Sequence, residues 1–208
     1  MSGEVVKPAH PRPYRKRTRA RKEEETRRRI AQAAMELHGS IGPARTTMSA
    51  VAERAGVQRS TLYRHFPDEV SLFGACSAHW AALHPAPDPS RWAEIGDVDE
   101  RLRTALSELY RWYGSDERMF LNVSRDAELV PGMRAPVEAG RQRSQNLLAV
   151  ICRGRPEQGR ARRRVQAAIA HAASFATWHA LTRQGGLDDD EAVRVAAGMV
   201  AAAASDSG

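Results

Sequence analysis

No stretch of this 208-residue chain approaches the ~20 consecutive apolar residues that a membrane helix needs. The first residues are basic and polar rather than apolar, so no secretory leader is expected, and a cytoplasmic location without a membrane partner is the expectation. Cysteine occurs only at Cys76 and Cys152, with neither CxxC nor histidine-rich spacing around it. Two free thiols in a reducing compartment are the plain interpretation, and a disulfide or redox pair the alternative. Lysine is restricted to Lys7, Lys16 and Lys22, a bias we read as codon usage rather than function. The chain also lacks a phosphate loop, an HExxH motif, and a serine or cysteine nucleophile beside a recognisable base, so nothing supports an enzyme. The acids of "DDDE" (188–191) are adjacent on a helix start and do not converge on one ion. No metal and no cofactor are expected.

What the chain does have is positive charge, and it is localised. Residues 1–29 hold eleven Lys/Arg against four Glu, an excess equal to the whole net charge of +7. The remainder is balanced. A Pro- and Arg-rich leader, "KPAHPRPYRKRTRARK", cannot bury enough apolar surface to fold by itself, so residues 1–22 are expected to be a disordered basic arm. Such an arm either solubilises the chain or follows DNA phosphates.

Helical periodicity starts near Glu23. Ile30, Ala34, Leu37 and Ile41 recur on one face of a helix predicted over 24–39, which "GSIGP" ends. Thr47 suits the N-cap of a short helix over 48–54 that buries Met48, Val51, Ala52 and Ala55. Gly56 supplies the tight turn. A third helix, 58–65, directs Leu62 and Phe66 inward, Pro67 stops it and Asp68 caps the next. Its outward residues, Arg59, Ser60, Thr61, Tyr63, Arg64 and His65, are all hydrogen-bond donors with no acid among them. A face of donors suits phosphate oxygens and the acceptor-rich edge of guanine.

The stretch "RIAQAAMELHGSIGPARTTMSAVAERAGVQRSTLYRHFPDEVSLF" resembles the DNA-binding domain of the tetracycline-repressor (TetR) family of transcriptional regulators, over about residues 24–76. The ordered elements "TTMSAVAERAGV", "STLYRHF" and Leu72 carry the resemblance. It implies an all-α fold: a three-helix helix-turn-helix domain (23–70), then a helical ligand-binding and dimerisation domain (71–208). Matched residue by residue, it implies a phosphate contact and cap at Thr47, and base-edge contacts from Ser49, Arg59 and Ser60. Thr61, Tyr63, Arg64 and His65 would contact mainly phosphates, with Tyr63 within reach of a base. His65 can act as a neutral donor or as a cation beside phosphate. Two positions depart from the family. Glu69 stands where a lysine is usual, and His38 where an aromatic is usual, as a core or a solvent-facing residue.

After residue 76 there are neither strand signals nor repeats. Helices are expected over about 97–113, 116–129, 135–153 and 157–184, with a last one from Asp188. The final two are alanine-rich, so their backbones can approach closely, within one chain or between two copies. The resemblance favours a homodimer joined there. Helical phase places a mostly apolar pocket among the middle helices. Candidate lining residues are Tyr110, Tyr113, Phe120, Asn122, Arg125, His171, Phe175 and Trp178, with Trp80, Leu106, Met119, Leu147 and Ile151 around them. The expectation is a ligand-responsive regulator, a repressor, that binds a palindromic double-stranded operator as a dimer and answers to an unknown small molecule. The alternatives are a sequence-tolerant DNA binder acting through its arm and a helical enzyme.

Overall fold

The computed structural model describes residues 12–205, with side chains from Arg17 onward. Among the described residues all regular structure is helical. α1 spans Arg12–Ser40, twelve residues longer at its N-terminal end than periodicity suggested. The basic segment 12–22, expected as disordered in isolation, therefore continues the helix. Arg, Lys and Ala are strong helix formers, and here they extend a helix already nucleated by its packed C-terminal half, so no new nucleus is needed. Residues 1–11 of the expected arm lie outside the described residues.

A short 3₁₀ turn, Pro43–Arg45, leads into α2 (Met48–Arg54) and α3 (Arg59–His65). α4 follows over Glu69–Leu83. The apolar faces of these four helices close one cluster around Ile30, Ala34, Val51, Leu62, Phe66, Leu72 and Cys76, all essentially buried. Ile41, expected on that face, is 40% exposed, because the helix ends at Ser40 and the chain turns outward. His38 is core: it is buried, stacked on Phe73 at 4.7 Å, and its Nδ1 lies 3.6 Å from the Cys76 Sγ. Burial holds His38 down at about 4, partly offset by Asp126, and pushes the Cys76 thiol up to about 12.

A proline-rich link and the short α5 (Pro89–Ala93) precede α6 (Val98–Ser115) and α7 (Glu117–Asp126). Then come α8 (Arg134–Ile151), α9 (Gly159–Ala172), α10 (Phe175–His179) and α11 (Asp189–Ser205). Their core runs through Trp92, Leu106, Tyr110, Ile151, Ile169, Trp178 and Val200. The helix expected over 157–184 is broken. Ser174 takes an extended conformation and its Oγ accepts from the Thr177 amide, while the Thr177 hydroxyl donates to the His171 carbonyl at 2.7 Å. That cap starts a new helix, which widens into a π-type turn over Ala180–Gln184.

Candidate nucleic-acid interface

The helix-turn-helix is built by local sequence. The Thr47 Oγ1 accepts the Ala50 amide at 3.1 Å and so starts α2. Gly56, at φ 63°, makes the left-handed turn that lets the Val57 amide reach the Ala52 carbonyl at 3.0 Å. Leu62 and Phe66, both fully buried, fix the roll of α3. With the roll fixed, Arg59, Ser60, Tyr63 and Arg64 are exposed, Thr61 is half-buried, and Thr47 and Ser49 are exposed at the start of α2. Seven of the eight candidate DNA contacts thus have surface to offer on this side of the domain. His65 differs. Its Nε2 is enclosed without a hydrogen-bond partner, and its carbonyl accepts from the Arg27 Nη1 at 2.8 Å. Burial first, then Arg64 and Arg27, lower its pKa, so the ring is neutral in the free protein at pH 7. Glu69 is exposed at the N-terminus of α4, next to Asp68, whose carboxylate accepts the Ser71 amide at 2.7 Å.

The far end of α1 is held by α7. Arg118, Asn122 and Arg125, one turn apart, donate to the last carbonyls of α1 and the residue beyond it. Arg118 reaches Ser40 at 3.0 Å, Asn122 reaches His38 and Gly39 at 2.9 Å each, and Arg125 reaches Ile41 at 3.4 Å. These carbonyls carry the negative end of the helix dipole, so two guanidiniums and an amide suit them. Asp126, 1% exposed, accepts the Ala44 amide at 3.0 Å and is held below the usual carboxylate range by hydrogen bonds from Arg125. Gly42 sits against this pair at φ 94°, where an added Cβ would lie 2.0 Å from the Arg125 Nη2. Asn122 and Arg125, expected to line a pocket, therefore bridge α7 to the helix-turn-helix unit. His171, another pocket candidate, is exposed on α9.

The remaining pocket candidates do meet. Tyr113, Phe120, Phe175 and Trp178 form a continuous ring cluster, with Phe120 stacked on Phe175 at 5.3 Å and Tyr113 edge-on to Phe120 at 5.1 Å. Trp80 and Trp112 extend it, at 5.5 and 4.9 Å from Phe120. Its polar atoms are committed inward. The Tyr110 and Tyr113 hydroxyls donate to the carbonyls of Ala172 and Ala173, the Trp80 indole to Asp116 at 2.7 Å, and the Trp178 indole to Asp189 at 2.9 Å. The tyrosines close the C-terminal end of α9, and burial raises both of their pKa values.

Residues 30–76 match the sequence profile described as bacterial regulatory proteins of the tetR family. The N-terminal unit is a TetR-family domain. No curated protein matches the chain. Among solved structures, NalD from Pseudomonas aeruginosa, the secondary repressor of the MexAB-OprM multidrug efflux pump, superposes with a TM-score of 0.60 at 19% identity, covering 90% of this chain and 100% of that one. A TetR-like transcriptional regulator from Rhodococcus sp. RHA1 gives 0.62 at 21% identity over 86% and 93% of the two chains. A TetR-family regulator from Mesorhizobium loti gives 0.59 at 23%, over 87% and 96%. At these identities the shared property is the all-helical fold.

Two features of the TetR-family domain's surroundings escaped sequence reasoning. Arg118 and Asp126 complete the bridge to α7, and their spacing with Asn122 and Arg125 (i, i+4, i+7, i+8) was a legible polar stripe beside the apolar Met119, Phe120 and Val123. Arg27 joins α1 to α3 through the His65 carbonyl and lies over the Phe66 ring at 4.3 Å. Nothing in the run of arginines distinguishes it from its neighbours. Among the described residues no group of three His, Cys, Asp or Glu is placed to hold a metal, and no helix is long and apolar enough to cross a membrane.

Proposed function

We propose that the chain is a ligand-responsive, sequence-specific transcriptional regulator, acting as a repressor, that binds a palindromic operator as a homodimer. The carrying observation is the donor-only face of α3, exposed on a helix whose roll is fixed by Leu62 and Phe66. Arg59 is the residue for base readout, since a guanidinium can bond guanine O6 and N7 together. Thr47, Thr61, Tyr63 and Arg64 supply phosphate contacts that set the register, and Ser49 and Ser60 further base-edge contacts. His65 supports the end of α3 through its backbone.

A dimer face is supported by the outer sides of α9 and α11. Ala167 and Ala170 on the first, and Val195, Gly198, Met199 and Ala202 on the second, are exposed together, a small and apolar surface suited to close helix packing. Two recognition helices would then enter major grooves one DNA turn, ~34 Å, apart. The aromatic cluster is the proposed effector site. An apolar aromatic ligand would part the rings of Phe120 and Phe175, displace α7, and through Asn122, Arg125 and Asp126 rotate α1 and the domain attached to it. DNA affinity then falls by the coupling free energy, typically ~1–3 kcal/mol. That NalD is a repressor of an efflux pump fits such a role.

Rising salt separates this function from a sequence-tolerant arm. Random duplexes titrated with the full chain at increasing salt should leave a bound subset that persists near physiological strength. Uniform loss across all sequences would establish the tolerant binder instead.

A further inference from the structure

Beyond Arg27, towards its N-terminus, α1 leaves the packed body. Its first 15 residues reach roughly 22 Å at the rise of an α-helix, and its side chains from Arg17 to Glu25 are exposed or nearly so. The helix runs past the end of α3 rather than away from it. Between them lies a cleft of about 400 Å³ lined by Thr18, Arg19, Lys22, Glu23 and Thr26 of α1 and by Arg64 and His65 of α3. Arg27 sets its width, with one guanidinium nitrogen on the His65 carbonyl and its plane over Phe66.

We propose that this cleft is a second backbone-phosphate site, in which Lys22 from α1 and Arg64 from α3 grip one DNA phosphodiester from two sides. The proposal rests on the assignment of α3 as the recognition helix. Four observations carry it. The cleft adjoins the exposed donor face of α3 and shares Arg64 with it. Lys22 and Arg64 make no ion pair with any described residue, so both charges are available. Glu23, the one acid in the lining, is tied to Arg19 at 3.2 Å and is largely offset. The Arg27 contacts join the two walls, so the cost of ordering the two helices against each other is already met in the free protein, and only the Lys22 and Arg64 side chains remain to be ordered. The ligand is a DNA backbone rather than a base, because the lining offers two cations that suit phosphate oxygens, and His65, the one ring in it, has its Nε2 enclosed.

The test uses the full chain and two labelled duplexes, one selected by the protein from a random pool and one scrambled. Lys22→Gln keeps helix propensity at an exposed position, so folding is unaffected. It should weaken both duplexes by the same factor and lower the slope of log K against log [salt] by about 2 for a dimer, one contact per protomer. Lys22→Arg should retain the wild-type slope. Arg59→Ala should do the opposite of Lys22→Gln, losing preference for the selected duplex with the slope little changed. If Lys22→Gln matches wild type on both duplexes while Arg59→Ala loses preference, the cleft is no phosphate site and the recognition helix stands. If wild type shows no preference yet Lys22→Gln still lowers the slope, the cleft stands and the specific regulator falls. If wild type binds neither duplex, both are overturned.

Discussion

Arg59 and His38 show what single residues settle. Arg59 is exposed at the first turn of α3, where no described residue competes for its donors. Truncation to Ala should cost ~1–3 kcal/mol on a specific site and relax preference at one base per half-site, measured by fluorescence anisotropy on single-base variants. Equal losses on specific and random DNA would contradict the role. His38 tests the core. Its pKa is about 4 in the folded protein against 6.5 when exposed, so the folded state resists protonation. Above pH 6.5 both states are neutral and nothing is lost. Between about 6.5 and 4 the unfolded chain takes up the proton first, and stability should fall by roughly 3 kcal/mol. His38→Phe should remove that slope between pH 6.5 and 5 in denaturant titrations. A slope that survives would place the titration elsewhere. Which residues α3 exposes was legible, because inward Leu62 and Phe66 fix the outward set. Roles in the expected pocket were not, since helical phase says which side of a helix faces inward but not which neighbour it meets. Asn122 does face inward, yet what it faces is the end of α1.

At the scale of elements, the bridge from α7 to α1 is the feature most open to test. Gly42 holds φ 94°, and a Cβ there would push the Arg125 guanidinium away from Asp126. Gly42→Ala combines backbone strain with a clash and should lower stability by about 1–3 kcal/mol in thermal or denaturant unfolding. An unchanged midpoint would mean that the turn is freely deformable. Asn122→Ala removes two hydrogen bonds to the end of α1. It should leave DNA affinity nearly intact without effector and reduce the response once an effector is found; undiminished release would remove α7 from the coupling route. Most helices were legible from apolar spacing, α6 above all, where Leu102, Leu106, Leu109, Tyr110 and Tyr113 are all buried as expected. Two boundaries were not. Composition alone marks residues 12–22 as unable to fold, which holds for an isolated segment but not for one appended to a packed helix. The break at Ser174 depends on a serine and threonine exchanging local hydrogen bonds, which an alanine-rich run conceals.

For the whole molecule, the proposed dimer and its operator belong together. Val195 and Met199 are exposed apolar residues on α11 that pack against no core cluster among the described residues. Changing both to Glu should leave a folded monomer by sedimentation and abolish tight operator binding, because one half-site contact loses the other as its anchor; a double variant that remains dimeric would move the interface elsewhere. The most direct test of the central claim is selection of bound fragments from a random duplex pool by the full chain at near-physiological salt, followed by sequencing. Two recognition helices related by a two-fold axis predict an inverted repeat with half-sites about one helical turn apart. Enrichment of no motif, or of a single unpaired half-site, would contradict a sequence-specific dimer.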